Sequence, residues 1–236
     1  MMKNGIDISK WQENINWKQV KDSGIEFAII RAGGSDVGFY TDPTYEANYK
    51  NAKAVGMPVG AYYIVGPYCV SKEDGIADAK RFLKMLEGKT FEYPVYIDLE
   101  TTSPATKNGT TDAVLAFCQT MEAAGYFCGI YASDISGFKD RLELSRLKSR
   151  ALWVASYGSM PKYVSSYGIW QKSSTGRVPG IVEDVDLDEC YIDYPRIIKN
   201  AGDNGFPKHT APAVKKTMKV TVEYDDHTYS GLLEEQ

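Results

Sequence analysis

Short apolar runs alternate with amphipathic segments along most of the chain, and this alternation predicts its architecture. Eight runs are predicted as strands, at residues 5–9, 26–32, 58–65, 93–99, 126–132, 151–156, 167–172 and 181–187. Helical patterns are predicted at residues 17–22, 43–54, 72–86, 111–124, 142–148 and 191–200. The strand cores are apolar on both faces, which is typical of parallel strands that helices cover. The pattern therefore indicates an α/β fold.

Local signals set several helix boundaries. Thr41 and Asp42 precede Pro43 at the start of the second predicted helix, which is a favourable cap with proline in the first turn. Glycine, which often ends a helix, stands where four of the predicted helices should stop, at Gly24, Gly56, Gly88 and Gly125.

The last three predicted strands are closely spaced, without full helices between them. This spacing favours an irregular (β/α) TIM-like barrel with an incomplete helical ring over a regular eightfold barrel. An open doubly wound sheet is the alternative. Hydrophobic residues make up 43% of the 236 residues, which is enough for a large core. We predict that the barrel occupies residues 1–205.

The last part of the chain changes character. Pro207 and Pro212 flank a polar linker, predicted at residues 206–217, and residues 218–236 alternate as a short C-terminal β-hairpin with a turn at Asp225 and Asp226. A lone hairpin is marginal in water. We therefore expect this tail to dock on the barrel or on a second copy of the chain, and to serve homo-oligomerisation or the binding of a larger target.

Composition removes several classes of chemistry. The two histidines, His209 and His227, lie near the end of the chain, so the barrel has no Ser-His-Asp or Cys-His catalysis and no histidine-rich zinc site. The four cysteines form no CxxC pair, and no nucleotide-binding loop is present. We predict no metal and no cofactor. A net charge of −4 without a basic face argues against nucleic acid as a partner, and no apolar run approaches a membrane span.

The most informative segment is the predicted fourth strand, which ends in Asp98 and Glu100. Residues two apart on a strand project from the same face. Two crowded acids resist ionising together, so one keeps its proton to a higher pH. A protonated acid beside an ionised one is the pair that glycosidic bond cleavage requires. We therefore predict Glu100 and Asp98 as the catalytic residues.

Other polar residues fall at the strand ends that would share the mouth of such a barrel. Asp7 is near the end of the first strand, Arg31 ends the second, and Asp186 lies at the end of the eighth. A role for Asp7 in a turn or a helix cap is as well supported as a role in the site. Arg31 could instead form an ion pair with a nearby acid. Aromatic faces suit sugar rings, and the substrate-binding candidates are Trp11, Arg31, Tyr62, Tyr63, Tyr131, Tyr157, Trp170 and Gln171. Trp17 and Trp153 are predicted in the core.

Six ordered stretches resemble glycoside hydrolase family 25, the Chalaropsis-type lysozymes. They are residues 5–12 (GIDISKWQ), 29–33 (IIRAG), 59–63 (VGAYY), 96–100 (YIDLE), 152–158 (LWVASYG), and 170–171 (WQ) through 185–188 (VDLD). The resemblance implies an irregular barrel that cleaves the β-1,4 bond after N-acetylmuramic acid in peptidoglycan. It implies that Glu100 is the general acid, that Asp98 stabilises or orients the reacting acetamido group, and that Asp7 and Asp186 are further active-site positions.

One departure is Tyr63, where many members of that family have a histidine after Ala-Tyr. No signal peptide is visible at Met1. A lysozyme of this family without a signal peptide resembles a phage or prophage endolysin. Such a protein would be made in the cytoplasm and would act on the bacterial cell wall after release through a separate membrane pore. The alternatives are a non-catalytic glycan-binding barrel and a glycosidase acting on another N-acetylated polymer such as chitin.

Overall fold

The structure is a computed structural model that describes residues 2–147, 150–208 and 217–234. Most of the predicted linker lies outside these residues, as does Lys148 at the end of one predicted helix. The strands, in chain order, are β1 (Lys3–Ile8), β2 (Phe27–Gly34), β3 (Tyr40–Thr41), β4 (Val59–Val65), β5 (Val95–Leu99), β6 (Cys128–Ser133), β7 (Ala151–Ala155), β8 (Ile169–Gly176), β9 (Val185–Cys190), β10 (Thr217–Tyr224) and β11 (His227–Glu234).

Eight of the described strands close into a barrel, in the order β1, β2, β4, β5, β6, β7, β8 and β9, with β9 pairing back onto β1. Neighbours from β1 to β8 are parallel, and β9 is antiparallel to both β8 and β1. β3 adds to the edge of β2. The prediction of an irregular TIM-like barrel is therefore confirmed, and the open doubly wound sheet is not found.

The last barrel strand differs from its prediction in place and direction. The sequence predicts a strand at residues 181–187 with acids at its end, whereas β9 begins at Val185 and runs against its neighbours. No full helix separates β8 from β9 in this described region, so the chain cannot cross over to a parallel position and turns back instead. Because β9 is reversed, Asp186 lies near its start, and that end still faces the mouth.

The described α-helices are α1 (Trp17–Asp22), α2 (Tyr45–Ala54), α3 (Lys72–Leu86), α4 (Lys107–Ala123) and α5 (Tyr194–Ala201). The predicted bounds of α1 and α3 are confirmed. Ser71 and Asp74 form a reciprocal capping box at the start of α3. All four predicted helix-ending glycines have positive φ angles between 68° and 95°. The predicted helix at 142–148 is only a short 3-10 turn, Leu144–Arg146, which follows a π-helical turn at Asp134–Lys139.

Two apolar layers hold the barrel. The outer layer lies between strands and helices, where Tyr63 packs against Phe82 of α3 and Phe117 of α4. The inner layer fills the barrel, where Trp153 contacts rings from three other strands: Tyr62, Tyr96 and Tyr131. Trp17 is buried in the outer layer and Trp153 in the inner one, so both predicted core tryptophans are confirmed.

The end of the barrel opposite the mouth is closed by the segment that follows β9. Tyr194 of α5 packs against Tyr93 and Phe127, which precede β5 and β6. Asn204 is fully buried, accepts a hydrogen bond from the Phe127 amide at 2.7 Å, and donates to the carbonyls of Phe91 and Tyr93 at 3.2 and 2.9 Å. The inner apolar layer extends to Phe206, which lies within the predicted linker.

The tail strands β10 and β11 pair antiparallel as a separate two-stranded sheet. Tyr224 pairs with His227, which leaves Asp225 and Asp226 as the two turn residues, with φ angles of 51° and 58°. Two consecutive positive φ angles define the tight turn that matches strand twist. The predicted hairpin and its turn are confirmed. Among the described residues, no helix combines the length and apolar character needed to cross a membrane.

Candidate active site

The mouth of the barrel gathers polar side chains from the inward-facing positions of several strands. Alternation along each strand decides which residues face inward. Asp98 follows the inner-layer residue Tyr96 by two positions on β5, and Arg31 follows the inner-layer residue Ile29 by two on β2. The same alternation places the following residues inside: Asp7, Tyr62, Tyr131, Gln171, Asp186 and Asp188. The sequence placed all but one of them, Asp188, in its site.

Gln171 organises one side of this mouth. Its Nε2 donates to Asp7 Oδ2 at 2.7 Å and to Asp186 Oδ2 at 3.3 Å. Its Oε1 accepts from the hydroxyl of Tyr131 at 2.8 Å and from that of Tyr157 at 3.1 Å. The amide therefore separates two carboxyl groups from two phenols and fixes the orientation of all four.

The acids on β1 and β9 are crowded and withdrawn from water. Burial and the charges of Asp186 and Asp188 raise the pKa of Asp7 well above its ordinary value. Burial raises the pKa of Asp186 to about 6 and that of Asp188 to about 8. Trp153 Nε1 donates to Asp188 Oδ1 at 2.8 Å. Asp188 is therefore tied to the inner layer, and Asp7 and Asp186 face the mouth above it.

Asp98 and Glu100 differ in their surroundings. Asp98 lies inside the end of β5 with only 4% of its surface exposed, and burial together with the charge of Glu100 raises its pKa well above the ordinary value. Glu100 follows the strand and reaches the open mouth, where desolvation and the charge of Asp36 raise its pKa. Arg31 opposes both increases. In the unliganded site, burial and neighbouring negative charge thus raise the pKa of both carboxyl groups.

Arg31 is fixed by an ion pair. Its Nε lies 2.7 Å from Oδ2 of Asp42, a buried residue just after β3. Asp42 also accepts hydrogen bonds from the Thr44 hydroxyl and from the Lys10 amide. The alternative interpretation of Arg31, a pair with a nearby acid, therefore fits its position, and its charge still reaches Asp98 and Glu100.

A groove of about 440 Å³ adjoins Glu100. Tyr131, whose hydroxyl donates to Gln171, also lines this groove. Tyr157 lines it and is 54% exposed, so its ring face is open to a ligand. The remaining wall comes from the ends of β6 and β7 and from the π-helical turn after β6: Ser133, Asp134, Ile135, Ser136, Ala155 and Ser156. Trp11 stands 66% exposed in the loop after β1.

The sequence model of the glycosyl hydrolases family 25 matches residues 6–181, which is most of the barrel. The chain belongs to this family.

Relatives and solved structures agree with the family match. The chain is 32% identical to the autolytic lysozyme of Clostridium acetobutylicum and 30% identical to lysozyme M1 of Streptomyces globisporus, over 78% of its own length in each case. These alignments cover 55% and 66% of the two relatives, so the chain spans between half and two thirds of their length.

Among solved structures, the CTP1L endolysin superposes with a TM-score of 0.71 at 28% identity, covering 84% of this chain and 69% of that one. The bacterial lysozyme from Streptomyces coelicolor gives a TM-score of 0.67 at 27% identity, covering 86% and 98%. The barrel described above therefore has the fold of the family 25 structures.

Two of the residues predicted to bind substrate lie away from the family 25 mouth. Tyr63 alternates with Tyr62 on β4, so it points into the outer layer, where its hydroxyl donates to Asp78 Oδ1 at 3.1 Å. Trp170 alternates with Gln171 on β8, and its Nε1 donates to the Ser156 carbonyl at 2.8 Å. Both are aromatic residues beside an inward-facing position, and strand alternation turns each of them away from the mouth.

Besides Asp188, two further acids near the mouth were missed. Asp42 appeared only as a helix cap, although it also pairs with Arg31. Asp36 follows the end of β2, and its charge acts on Asp98 and Glu100. The same reasoning that selected acids at strand ends would have found Asp36, had β2 been extended by two residues to Gly34.

Proposed function

We propose that this family 25 chain is a peptidoglycan muramidase, hydrolysing the β-1,4 bond between N-acetylmuramic acid and N-acetylglucosamine in the bacterial cell wall. The observation that supports this most directly is the position of Glu100, which stands at the open groove with a raised pKa beside the buried Asp98. Lysozymes among its relatives support the same activity.

In the first step, Glu100 donates its proton to the departing glycosidic oxygen as the bond to the anomeric carbon breaks. Positive charge then develops at that carbon. Asp98 stabilises it, either directly or through the acetamido group of the substrate. Glu100, now ionised, takes a proton from the incoming water, whose oxygen attacks the anomeric carbon. One water is consumed, and one new reducing end appears. Positioned proton transfer of this kind contributes about 10²–10⁴-fold to a rate.

Asp98 must carry negative charge when the bond breaks, although burial raises its pKa in the unliganded site. One of its oxygens, Oδ1, is buried without a hydrogen-bond partner among the described residues. An acetamide N–H from the substrate would donate to this oxygen and favour its ionised form. The unpaired oxygen is therefore the feature that assigns substrate orientation to Asp98.

The groove supports binding of the glycan strand beside Glu100. Tyr131 and Tyr157 present phenol faces and edges to it, which suits the apolar faces and hydroxyl rims of sugar rings. Tyr62 lies deeper, in edge contact with Trp153. We assign Tyr131 and Tyr157 to substrate contact, with Trp11 at the outer edge and Arg31 and Gln171 holding the acids in place. Asp7 and Asp186 support the reacting pair.

The decisive variant is Glu100→Gln, compared with Glu87→Gln on the exposed end of α3. Purified bacterial walls are treated with each protein, and turbidity and new reducing ends are measured together. We expect Glu100→Gln to lose at least about 10²-fold in rate, while Glu87→Gln remains at the wild-type rate. Near-wild-type lysis by Glu100→Gln would exclude Glu100 as the general acid.

The same assay separates the two alternatives. A non-catalytic glycan-binding barrel would bind walls and release no reducing ends. A glycosidase of different specificity would release reducing ends from chitin at a rate comparable to that from peptidoglycan. We expect release from peptidoglycan in strong excess, with N-acetylmuramic acid at the new reducing end by mass spectrometry.

For the C-terminal hairpin we propose self-association of the chain, with wall binding as the alternative. A two-stranded sheet alone buries little surface. The test is a chain ending at Lys208, which keeps Asn204 and Phe206 on the barrel. In light scattering, we expect the shortened protein to contain fewer copies of its chain per particle than the full chain does. Equal multiples for both proteins would exclude self-association through the tail.

A further inference from the structure

The loop between β2 and β3, residues 35–39, is held firmly beside the mouth. The Ser35 amide donates to the Ile64 carbonyl at 2.9 Å, which continues the β2–β4 pairing past the strand end. The Ser35 hydroxyl donates to Asp78 Oδ2 at 3.0 Å and accepts from the Gly66 amide at 3.0 Å. These bonds attach the loop to β4 on one side and to α3 on the other, so the position of Asp36 is fixed by the scaffold.

Gly34 on β2 pairs with Ile64 on β4, and Ile64 pairs with Asp98 on β5. Asp36 follows Gly34 by two residues, so it lies near the strand ends that carry Asp98 and Glu100. A Cβ atom placed on Gly34 would stand 2.8 Å from Asp36 Oδ1, so the carboxylate folds back over the end of β2. This oxygen is buried and has no hydrogen-bond partner among the described residues. Burial and the charge of Asp36 raise the pKa of the Tyr40 hydroxyl to about 12, and the Tyr40 ring lies 5.9 Å from the Arg31 guanidinium. Asp36 is thus a partly desolvated acid on the rim of the active site.

We propose that Asp36 is a positioning residue for the hydrolysis proposed above, and that its negative charge keeps the catalytic proton on Glu100 until the substrate is bound. The inference rests on that function and adds a residue to it. Apart from desolvation, the charge of Asp36 is the largest influence raising the pKa of Glu100, and it also raises the pKa of Asp98.

The other groups facing Glu100 do not replace this effect. Arg31 on β2 favours ionisation of Glu100, but Arg31 is already paired with Asp42. Tyr131 on β6 also lines the groove beside Glu100, but its hydroxyl proton is donated to Gln171. The remaining neighbours across the mouth are Asp98 on β5, Asp186 on β9 and Tyr157 after β7. Asp36 is the acid that approaches Glu100 from the β2–β3 side, where Arg31 would otherwise favour loss of the proton.

The experiment is a pH profile of kcat/KM on soluble, uncross-linked glycan strands of peptidoglycan, measured by reducing ends. The alkaline limb of this profile reports the group that must be protonated in the free enzyme. Asp36→Asn removes the charge and keeps the side-chain size, Asp36→Glu keeps the charge, and Asp22→Asn removes a charge from an exposed pair with Lys18 at the far end of α1. Thermal unfolding of each variant shows that it is folded at the assay temperature.

We expect the alkaline limb of Asp36→Asn to move to lower pH, so that the variant loses more rate on the alkaline side than on the acid side. Asp36→Glu and Asp22→Asn should keep the wild-type limb. Asp36→Ser, a second neutral variant, should shift in the same direction. An unchanged limb in the neutral variants, whether the rate falls evenly or not at all, would overturn the proposal. This result is distinct from failure of the proposed function, in which the wild-type chain itself would release no reducing ends.

Discussion

Asp7 on β1 and Asp186 on β9 are direct partners in the antiparallel ladder that closes the barrel. The reversed direction of β9 creates this relationship, because it brings the start of one strand against the end of the other. Gln171 Nε2 bridges the two carboxyl groups from β8. A feature that closes the fold therefore also assembles one wall of the active site, and its cost is a set of crowded, desolvated acids.

This crowding predicts a pH-dependent stability. Asp186 and Asp188 have pKa values raised to about 6 and about 8 from an ordinary 3.8, so the folded chain keeps protons that the unfolded chain releases. Their contribution to stability is present below the unfolded pKa and is lost as pH rises through the folded values. We expect the free energy of unfolding in urea to fall between about pH 4 and about pH 8. Asp188→Asn should flatten this fall and be the more stable protein at the alkaline end.

Asp22→Asn is the control for that comparison, since Asp22 is exposed beside Lys18. The same slope against pH in Asp188→Asn and in the wild-type chain would contradict the assignment of the pH dependence to the buried acids.

Asp98→Asn should separate activity from stability. The carboxyl group is fully buried and one of its oxygens is unpaired, so a neutral amide of the same size should leave the free energy of unfolding unchanged or higher at neutral pH. The amide cannot balance positive charge at the anomeric carbon, and we expect a loss of about 10²-fold or more in kcat. Urea unfolding and release of reducing ends measure the two effects. Loss of both stability and activity would assign Asp98 a structural role instead.

Gln171→Met should weaken both the fold and the reaction. Methionine has a similar length but leaves Tyr131, Tyr157 and Asp7 without their hydrogen-bond partner. Tyr131 and Asp7 are buried, and an unsatisfied buried group typically costs about 1–3 kcal/mol, so we expect a loss of at least that size. Gln119→Met, on the exposed face of α4, is the matched control. Equal unfolding free energies for the two variants would show that the amide network contributes nothing.

Asn204→Ala should be strongly destabilising without any contact with the mouth. The substitution removes one accepted and two donated hydrogen bonds at the closed end of the barrel, and it places alanine at a φ of 54°. We expect a loss of about 3 kcal/mol or more in the free energy of unfolding, against little change for Asn51→Ala on the exposed face of α2. The remaining folded fraction should keep its kcat. A loss below about 1 kcal/mol would contradict the closing role of Asn204.

Local sequence patterns determined much of this protein. The bounds of α1 and α3, the glycines that end four helices, and the hairpin turn at Asp225 and Asp226 depend on residues adjacent in the chain, so they are visible in the sequence. For the same reason, polar residues at the ends of apolar runs could be selected from the sequence as site candidates: Asp7, Arg31, Asp98 and Glu100. The family resemblance rests on these local stretches.

Other features were decided by the tertiary structure. The direction of β9, the outward faces of Tyr63 and Trp170, and the network around Gln171 depend on which strands pair and in which register. The place of Asn204 at the closed end, and of Asp36 beside Glu100, depends on segments far apart in the chain. Barrel closure sets all of these, because it is a constraint among distant strands, and the pattern of any one segment carries no information about its partners.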